Sequence, residues 1–469
     1  MNPSLPNVLY ITTHDQGIAA ACYAKYGPGA SVKMHTPNTD ALASNGAMLT
    51  THFGTAPQCS PARSSLITGL LPHENGLVGL THRGFKITDP EKTILNHFNN
   101  HGYKTMLVGF QHEVQGEGTK IGYQEIFGRR KRMCHQLLDD VDDAMEKVVS
   151  ANERGQPAWL SIGAKEVHLS WEKFIDKSQV FSPNDVEVPG YLPDTPKIRK
   201  HLGAFYGALE SYDDFLGKVF SLLDQKGLME NTIIIVTTDH GIAHPRAKGT
   251  LYDPGNHDLM IWSWKGHIPR GKKIHSLLSS VDFAPTICEL CKIPAAGHYR
   301  GKSYASLLLS REMEEQTEIR EYVFTELTYH DIYNPMRAVR TKKLKYIKVF
   351  EPSISLVDSI PGDIMRGPSY KEWVRKGTNT TREAEELFDL VDDPLEEHNL
   401  AGDPAHANHL ASLREVLERM LEQTKDPLKD GAPYPCPEGA RINNHGEFNH
   451  IPPAPVMSWW SRFRRKIKK

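Results

Sequence analysis

The chain has 469 residues, 39% of them hydrophobic and 24% charged, which are the proportions of a folded globular protein and exclude a disordered or fibrous one. Its formal charge is −2, but Arg462 to Lys469 hold six basic and no acidic residues, so residues 1 to 461 carry 49 basic against 57 acidic side chains, a net −8. An acidic body argues against nucleic acid as a partner, and any anionic substrate has to be met by a local basic pocket.

From the N-terminus, the run Asn7 to Thr13 is apolar and β-rich and ends abruptly in His14, Asp15, Gln16 and Gly17. This is the pattern of a strand buried on both faces that delivers polar groups at its carboxyl end. No basic and apolar leader precedes it, and no apolar run is long enough to span a bilayer, so a cytoplasmic location is expected. Ser64 to Leu71 reads as a helix, Tyr103 to Gly109 and Ala158 to Gly163 as strands, and Gly203 to Lys226 as an amphipathic helix with apolar residues three and four apart. Thr232 to Thr238 repeats the design of the first strand and ends in Asp239, His240 and Gly241. The alternation of strand and helix predicts an α/β domain with a mainly parallel central sheet flanked by helices.

Ser280 to Leu290 reads as a helix in which Cys288 and Cys291 are two buried positions; six cysteines over this length imply no disulfide framework. From Val323 the pattern changes to short alternating strands, VFTEL and AVRTKKLKYIKVF, with an acidic helix near Leu410 to Gln423. We place the domain boundary near residue 340. Residues 1–340 then form the large domain, 341–455 a smaller α+β domain with a short antiparallel sheet, and 456–469 a basic aromatic tail. In that tail Trp460, Phe463 and Ile467 would share one helical face opposite the basic residues, which suits weak contact with an anionic membrane surface as well as it suits a solvated end.

The chemistry centres on Cys59-Ser60-Pro61-Ala62-Arg63 with Leu66-Ile67-Thr68-Gly69 downstream and Pro72-His73-Glu74-Asn75-Gly76 beyond. This stretch resembles the sulfatase signature C-x-P-x-R with its L-x-T-G extension, a family of the alkaline-phosphatase superfamily. The resemblance extends over nearly the whole chain, and Gln111-His112-Glu113, Lys248 to Tyr252 and Glu326 to Arg337 are most similar to the heparan N-sulfatases, or sulfamidases. It implies an alkaline-phosphatase-like fold and hydrolysis of a sulfate ester or sulfamate on a sulfated saccharide, with heparan-type N-sulfoglucosamine favoured.

In that family the cysteine is oxidised by a maturation enzyme to formylglycine (3-oxoalanine), whose hydrate carries two hydroxyls. One attacks sulfur, and the other expels sulfate by re-forming the aldehyde, so the covalent intermediate needs no attack of water on the ester. A helix N-terminus at Cys59 would suit the oxyanions involved.

The resemblance assigns catalysis to Cys59, Arg63, His112, His168 and Lys248, and a divalent metal to His14, Asp15, Cys59, Asp239 and His240. His14 departs from the family's usual aspartate. Calcium is favoured, whereas the imidazoles at 14 and 240 pull toward manganese or zinc, with magnesium a further option. Phe110 stands where relatives carry a sulfate-binding lysine, which removes a charge-assisted contact to the substrate. His330 and Arg337 are candidate substrate contacts, with packing and salt-bridge roles as alternatives. Two rival functions fit parts of the pattern: a phosphonate or phosphate ester hydrolase of the same superfamily, and a non-catalytic binder of sulfated glycans.

Overall fold

The computed structural model describes residues 5–175, 181–376, 382–431 and 433–443; the basic aromatic tail, 456–469, lies outside the described residues. A nine-stranded sheet runs through the larger part of the chain. Its strands are β1 (Asn7–Thr12), β2 (Ala47–Leu49), β3 (Lys104–Gly109), β4 (Glu125–Phe127), β5 (Ala158–Gly163), β6 (Thr232–Thr237), β7 (Met260–Ser263), β8 (Lys272–Ile274) and β9 (Glu314–Glu315). They lie in the order β9-β8-β2-β7-β6-β1-β5-β3-β4. β7 runs antiparallel to both neighbours, and every other pair is parallel.

The central strands are apolar on both sides of the pleat. β1 turns Val8 and Tyr10 to one face and Leu9 and Ile11 to the other, and β6 divides Ile233 and Ile235 from Ile234 and Val236 in the same way. Such strands are stable only where helices cover both faces. Four helices supply most of that cover: α1 (Cys59–Thr68), α2 (Leu138–Glu153), α3 (Pro196–Gln225) and α4 (Phe283–Leu290). α1 and α4 pack on the Tyr10 face, α2 and α3 on the Leu9 face.

α3 begins at Pro196 rather than Gly203, because Thr195 caps it by accepting from the Ile198 N–H at 3.3 Å and Pro196 fills the first helical position. From there Leu202, Phe205, Tyr206, Leu209, Tyr212, Leu216, Val219 and Leu223 form one continuous buried stripe.

The second unit is an antiparallel meander of β10 (Val323–Tyr329), β11 (Tyr333–Arg340), β12 (Leu344–Val349) and β13 (Glu385–Asp389). The helix α5 (Ala407–Gln423) sets Leu410, Leu413 and Leu417 against Val339, Tyr346 and Leu387. The boundary expected near residue 340 falls inside this sheet: β11 ends at Arg340 and is hydrogen-bonded to strands on both sides, so the unit begins at Val323. No helix among the described residues is long and apolar enough to cross a membrane.

Candidate active site

The polar groups gather where the adjacent strands β1 and β6 end, with Thr12 opposite Thr237 in register. The chain turns sharply there. Asp15 sits at φ 51°, in the left-handed region, and its N–H donates to Asp239 Oδ1 at 2.9 Å, so each strand end fixes the other. His14, Asp15, Asp239 and His240 are all buried.

α1 carries Cys59 into this cluster. It starts at Cys59, a turn earlier than the sequence pattern indicates, and no side chain caps its first N–H groups. It ends at Gly69, φ 63°, where a Cβ would come 2.7 Å from the Tyr299 ring. Cys59 Sγ lies 3.2 Å from His240 Nε2, which is itself 3.2 Å from Asp15 Oδ1. One turn along α1, Arg63 donates from Nε to Asp239 Oδ2 at 2.9 Å and from Nη2 to the Thr13 carbonyl at 2.7 Å.

Lys248 bridges Asp15 Oδ2 at 2.8 Å and Asp363 Oδ2 at 2.9 Å. His168 holds Nε2 3.8 Å from Asp363 and its ring 5.4 Å from that of His14. The His112 ring is 5.9 Å from His14 and stacks on His82 at 5.5 Å. The fold therefore brings Cys59, Arg63, His112, His168, Lys248, His14, Asp15, Asp239 and His240 to one place.

Electrostatics there differ from solution values. Burial would raise the Cys59 thiol, yet Lys248 and His240 hold it well below its usual range. Burial opposes the charged forms of His14 and His240 too, but Asp239 prevails and raises them to about 10 and about 9. His168 is lowered to about 4 by burial, and its Nδ1 meets the Leu169 carbonyl at 2.7 Å. An anion arriving beside it would raise that value.

The cluster suits a divalent cation. His14, Asp15, Cys59 and Asp239 each turn one ligand atom to within 4.8 Å of the others. Among the described residues His14 Nε2 is buried without a hydrogen-bond partner, and His14 Nδ1 and Asp15 Oδ1 meet only members of the cluster, Asp239 Oδ2 at 3.1 Å and His240 Nε2 at 3.2 Å, a concentration of lone pairs that a metal would relieve. His240 stands beside the same atoms.

The two candidate substrate contacts part company. His330 is buried, with Nδ1 3.4 Å from Asp331 Oδ2, and Asp331 accepts from the Gly362 N–H at 2.7 Å, next to Asp363. Arg337 is fully buried and saturated: Nε donates to Asp426 Oδ2 at 2.6 Å, and Nη1 to the Leu327 carbonyl and Thr328 Oγ1 at 3.0 and 3.1 Å. It serves the scaffold rather than the substrate. Glu326 reaches toward it and also binds His73 through the backbone N–H at 2.8 Å, which links the segment after α1 to β10.

No sequence motif marks Asp363, His82 or the wall of a neighbouring cleft. Asp363 lies in loop-rich sequence with no motif around it, and only contact with Lys248 marks it. The cleft, of about 770 Å³, opens beside His14, Phe110, His112 and His168 and is walled by Arg129 to Arg132 and Lys165. The cleft is a local concentration of basic side chains on an otherwise acidic body.

A cysteine at a helix start with two carboxylates and several cations around one point suits a tetrahedral anion. The profile of the sulfatase family matches residues 6–293, and the chain belongs to that family, whose members hydrolyse sulfate esters or sulfamates. Residues 241–358 also match the profile described as N-sulphoglucosamine sulphohydrolase, C-terminal. An ulvan-active sulfatase of Formosa agariphila is 27% identical over 451 residues, spanning 93% of this chain and 84% of that one. Human N-sulphoglucosamine sulphohydrolase is 25% identical over 477 residues, spanning 90% and 91%. A solved structure holding its substrate D-glucosamine-2-N,6-O-disulfate superposes with a TM-score of 0.66 at 16% identity, covering 91% of this chain and 99% of the other. The likeness to solved sulfatases assigns the alkaline-phosphatase-like fold.

Proposed function

We propose that the protein hydrolyses a sulfate ester or sulfamate on a sulfated sugar, heparan-type N-sulfoglucosamine being favoured, through Cys59 oxidised to formylglycine by a maturation enzyme. The observation that carries this reading is Cys59 at the start of α1, 3.2 Å from His240 and among His14, Asp15 and Asp239. The C-terminal profile and the human relative, named for N-sulphoglucosamine, support the choice of sugar.

Once oxidised and hydrated, position 59 would supply a nucleophilic hydroxyl with a second hydroxyl for release of sulfate. A divalent metal held by His14, Asp15, Asp239, His240 and position 59 would act as a Lewis acid toward the sulfate oxygens. With imidazoles among the donors, manganese or zinc competes with calcium for this site.

Arg63 is anchored by Asp239 and the Thr13 carbonyl, so its guanidinium stays beside position 59 without rearrangement. The α1 amides add positive potential there. His112 is placed to take a proton from the hydrated side chain. Lys248, fixed by Asp15 and Asp363, faces the departing group with His168, whose proton affinity rises as the anion binds.

The test is turnover by protein matured with a formylglycine-generating enzyme, assayed on N-sulfated and O-sulfated glucosamine, aryl sulfate and a phosphonate ester. Mass spectrometry of the peptide around Cys59 reports the conversion. Hydrolysis of the sulfated sugars, lost by at least about a thousandfold in Cys59→Ala, is expected. Faster turnover of the phosphonate, or full activity in Cys59→Ala, would overturn the reading.

A further inference from the structure

The cleft carries charge that the reaction at position 59 does not use. Its outer wall is Arg129-Arg130-Lys131-Arg132, which follows β4, together with Lys165, which follows β5. Arg129 is engaged by Glu117 at 2.6 Å and Lys131 by Asp140 at 2.6 Å. Glu117 is the only carboxylate among the lining residues, and Arg129 takes it. Among the described residues, Arg130, Arg132 and Lys165 have no ion-pair partner.

Two of these cations, Arg132 and Lys165, are held by neighbouring structure, and Arg130 is exposed beside them. The Lys165 N–H donates to the Arg132 carbonyl at 2.7 Å, which joins the end of β5 to the basic run. The Arg132 guanidinium lies 5.7 Å from the centre of the Phe110 ring, and Arg63, on the reaction side, lies 5.9 Å from the same centre. Phe110 thus contacts both the guanidinium beside position 59 and the one that lines the cleft. Burial, and then Arg132 itself, pushes the Lys165 ammonium below its usual value, as expected for like charges held close without a counter-ion.

A volume of about 770 Å³ exceeds what one sulfo group needs and lies in the range of pockets that hold a whole small ligand. A wall of unpaired cations repels itself in the resting protein and gains most when an anion enters.

We propose that Arg130, Arg132 and Lys165 form a second anion subsite, which takes a further sulfate or a carboxylate of the same glycan, so that the preferred substrate carries at least two acidic groups. This rests on the reading of the site as one for sulfated sugars. A glycan sulfate and a uronate carboxylate present the same chemistry to a guanidinium fork.

Equilibrium binding to the full chain carrying Cys59→Ala tests the subsite without requiring turnover. Three ligands are titrated by calorimetry: glucosamine 2-N-sulfate, glucosamine 2-N,6-O-disulfate, and a uronate-linked glucosamine 2-N-sulfate. A second acidic group is expected to tighten Kd by about tenfold or more, and the gain is expected to shrink with rising salt. A gain with the disulfate alone assigns the subsite to sulfate, a gain with the uronate alone assigns it to carboxylate, and either outcome supports it. Adding Arg130→Ala and Arg132→Ala together should cost the doubly charged ligand about tenfold more than the singly charged one. Arg130→Glu, at an exposed position, should do the same if the double variant fails to fold. No gain from a second acidic group, or equal losses on all three ligands, would overturn the subsite. Absence of turnover by the matured enzyme would instead sink the functional reading and leave the binding result in place.

Discussion

Lys248 is a buried cation held between Asp15 and Asp363, and a buried charge is tolerable only while its partners remain. Asp363→Asn keeps the shape but frees half of that clamp. Its kcat/KM is expected to fall by about tenfold, with only a small change in melting temperature because Asp363 is partly exposed. Steady-state kinetics beside a thermal melt checks this, and an unchanged kcat/KM would remove Asp363 from the site. Arg337 gives the opposite expectation. Arg337→Leu leaves Asp426 buried without its counter-charge and should destabilise the fold by about 3–5 kcal/mol in urea unfolding. A variant that kept its stability but bound substrate poorly would return Arg337 to the substrate. The residue type at 337 was legible from the motif; its surroundings were not, because Asp426 is 89 residues away in the chain.

Strand ends, more than strands, set the geometry of the site. β3 and β5 pair Gly109 with Gly163, and a Cβ on Gly163 would come 1.9 Å from the Phe110 carbonyl oxygen. Gly163→Ala must therefore part the two strand ends that carry Phe110, His112, Lys165 and His168. We expect a loss of about 1–3 kcal/mol in stability, together with more than a tenfold fall in activity. Activity unchanged at full stability would mean that these ends are not tightly coupled. The strands themselves were readable, since a run such as TIIIVTT is stable only inside a covered sheet. Helix starts are less legible: the apolar run marks a helix from Ser64, whereas α1 begins at Cys59, with Pro61 compatible with its first turn.

Several buried histidines make the assembled fold sensitive to acid. Burial lowers His52 to about 3 and His201 and His257 to about 4, and it places His244 well below its usual value. The unfolded chain takes up protons at these positions below about pH 6.5 while the folded protein does not. Their stabilisation is therefore present in full above pH 6.5 and is lost progressively as pH falls toward about 4. The urea midpoint is expected to decline steadily as pH falls from 6.5 toward 4, and His201→Phe, packed against Trp171, should flatten that decline. A midpoint independent of pH between 6.5 and 4 would contradict the burial of these rings as neutral groups.

The two units share an apolar core, with Met336, Ala338, Ile347 and Phe388 of the meander in one cluster with Leu9 and Ile11 of β1, and charge adds to it: Arg340 and Lys345 grip Asp253 of the larger unit at 2.8 and 2.5 Å. By itself the sequence determined the α/β class, the family motif around Cys59 and the residues at two strand ends, because periodic burial and a contiguous motif are local properties of the chain. Tertiary structure alone decided that the meander begins at Val323, that Arg337 supports the scaffold, that Asp363 clamps Lys248, and that Arg130, Arg132 and Lys165 face a cleft unpaired. Each of these depends on which distant side chain becomes a neighbour, and no spacing along the chain records that.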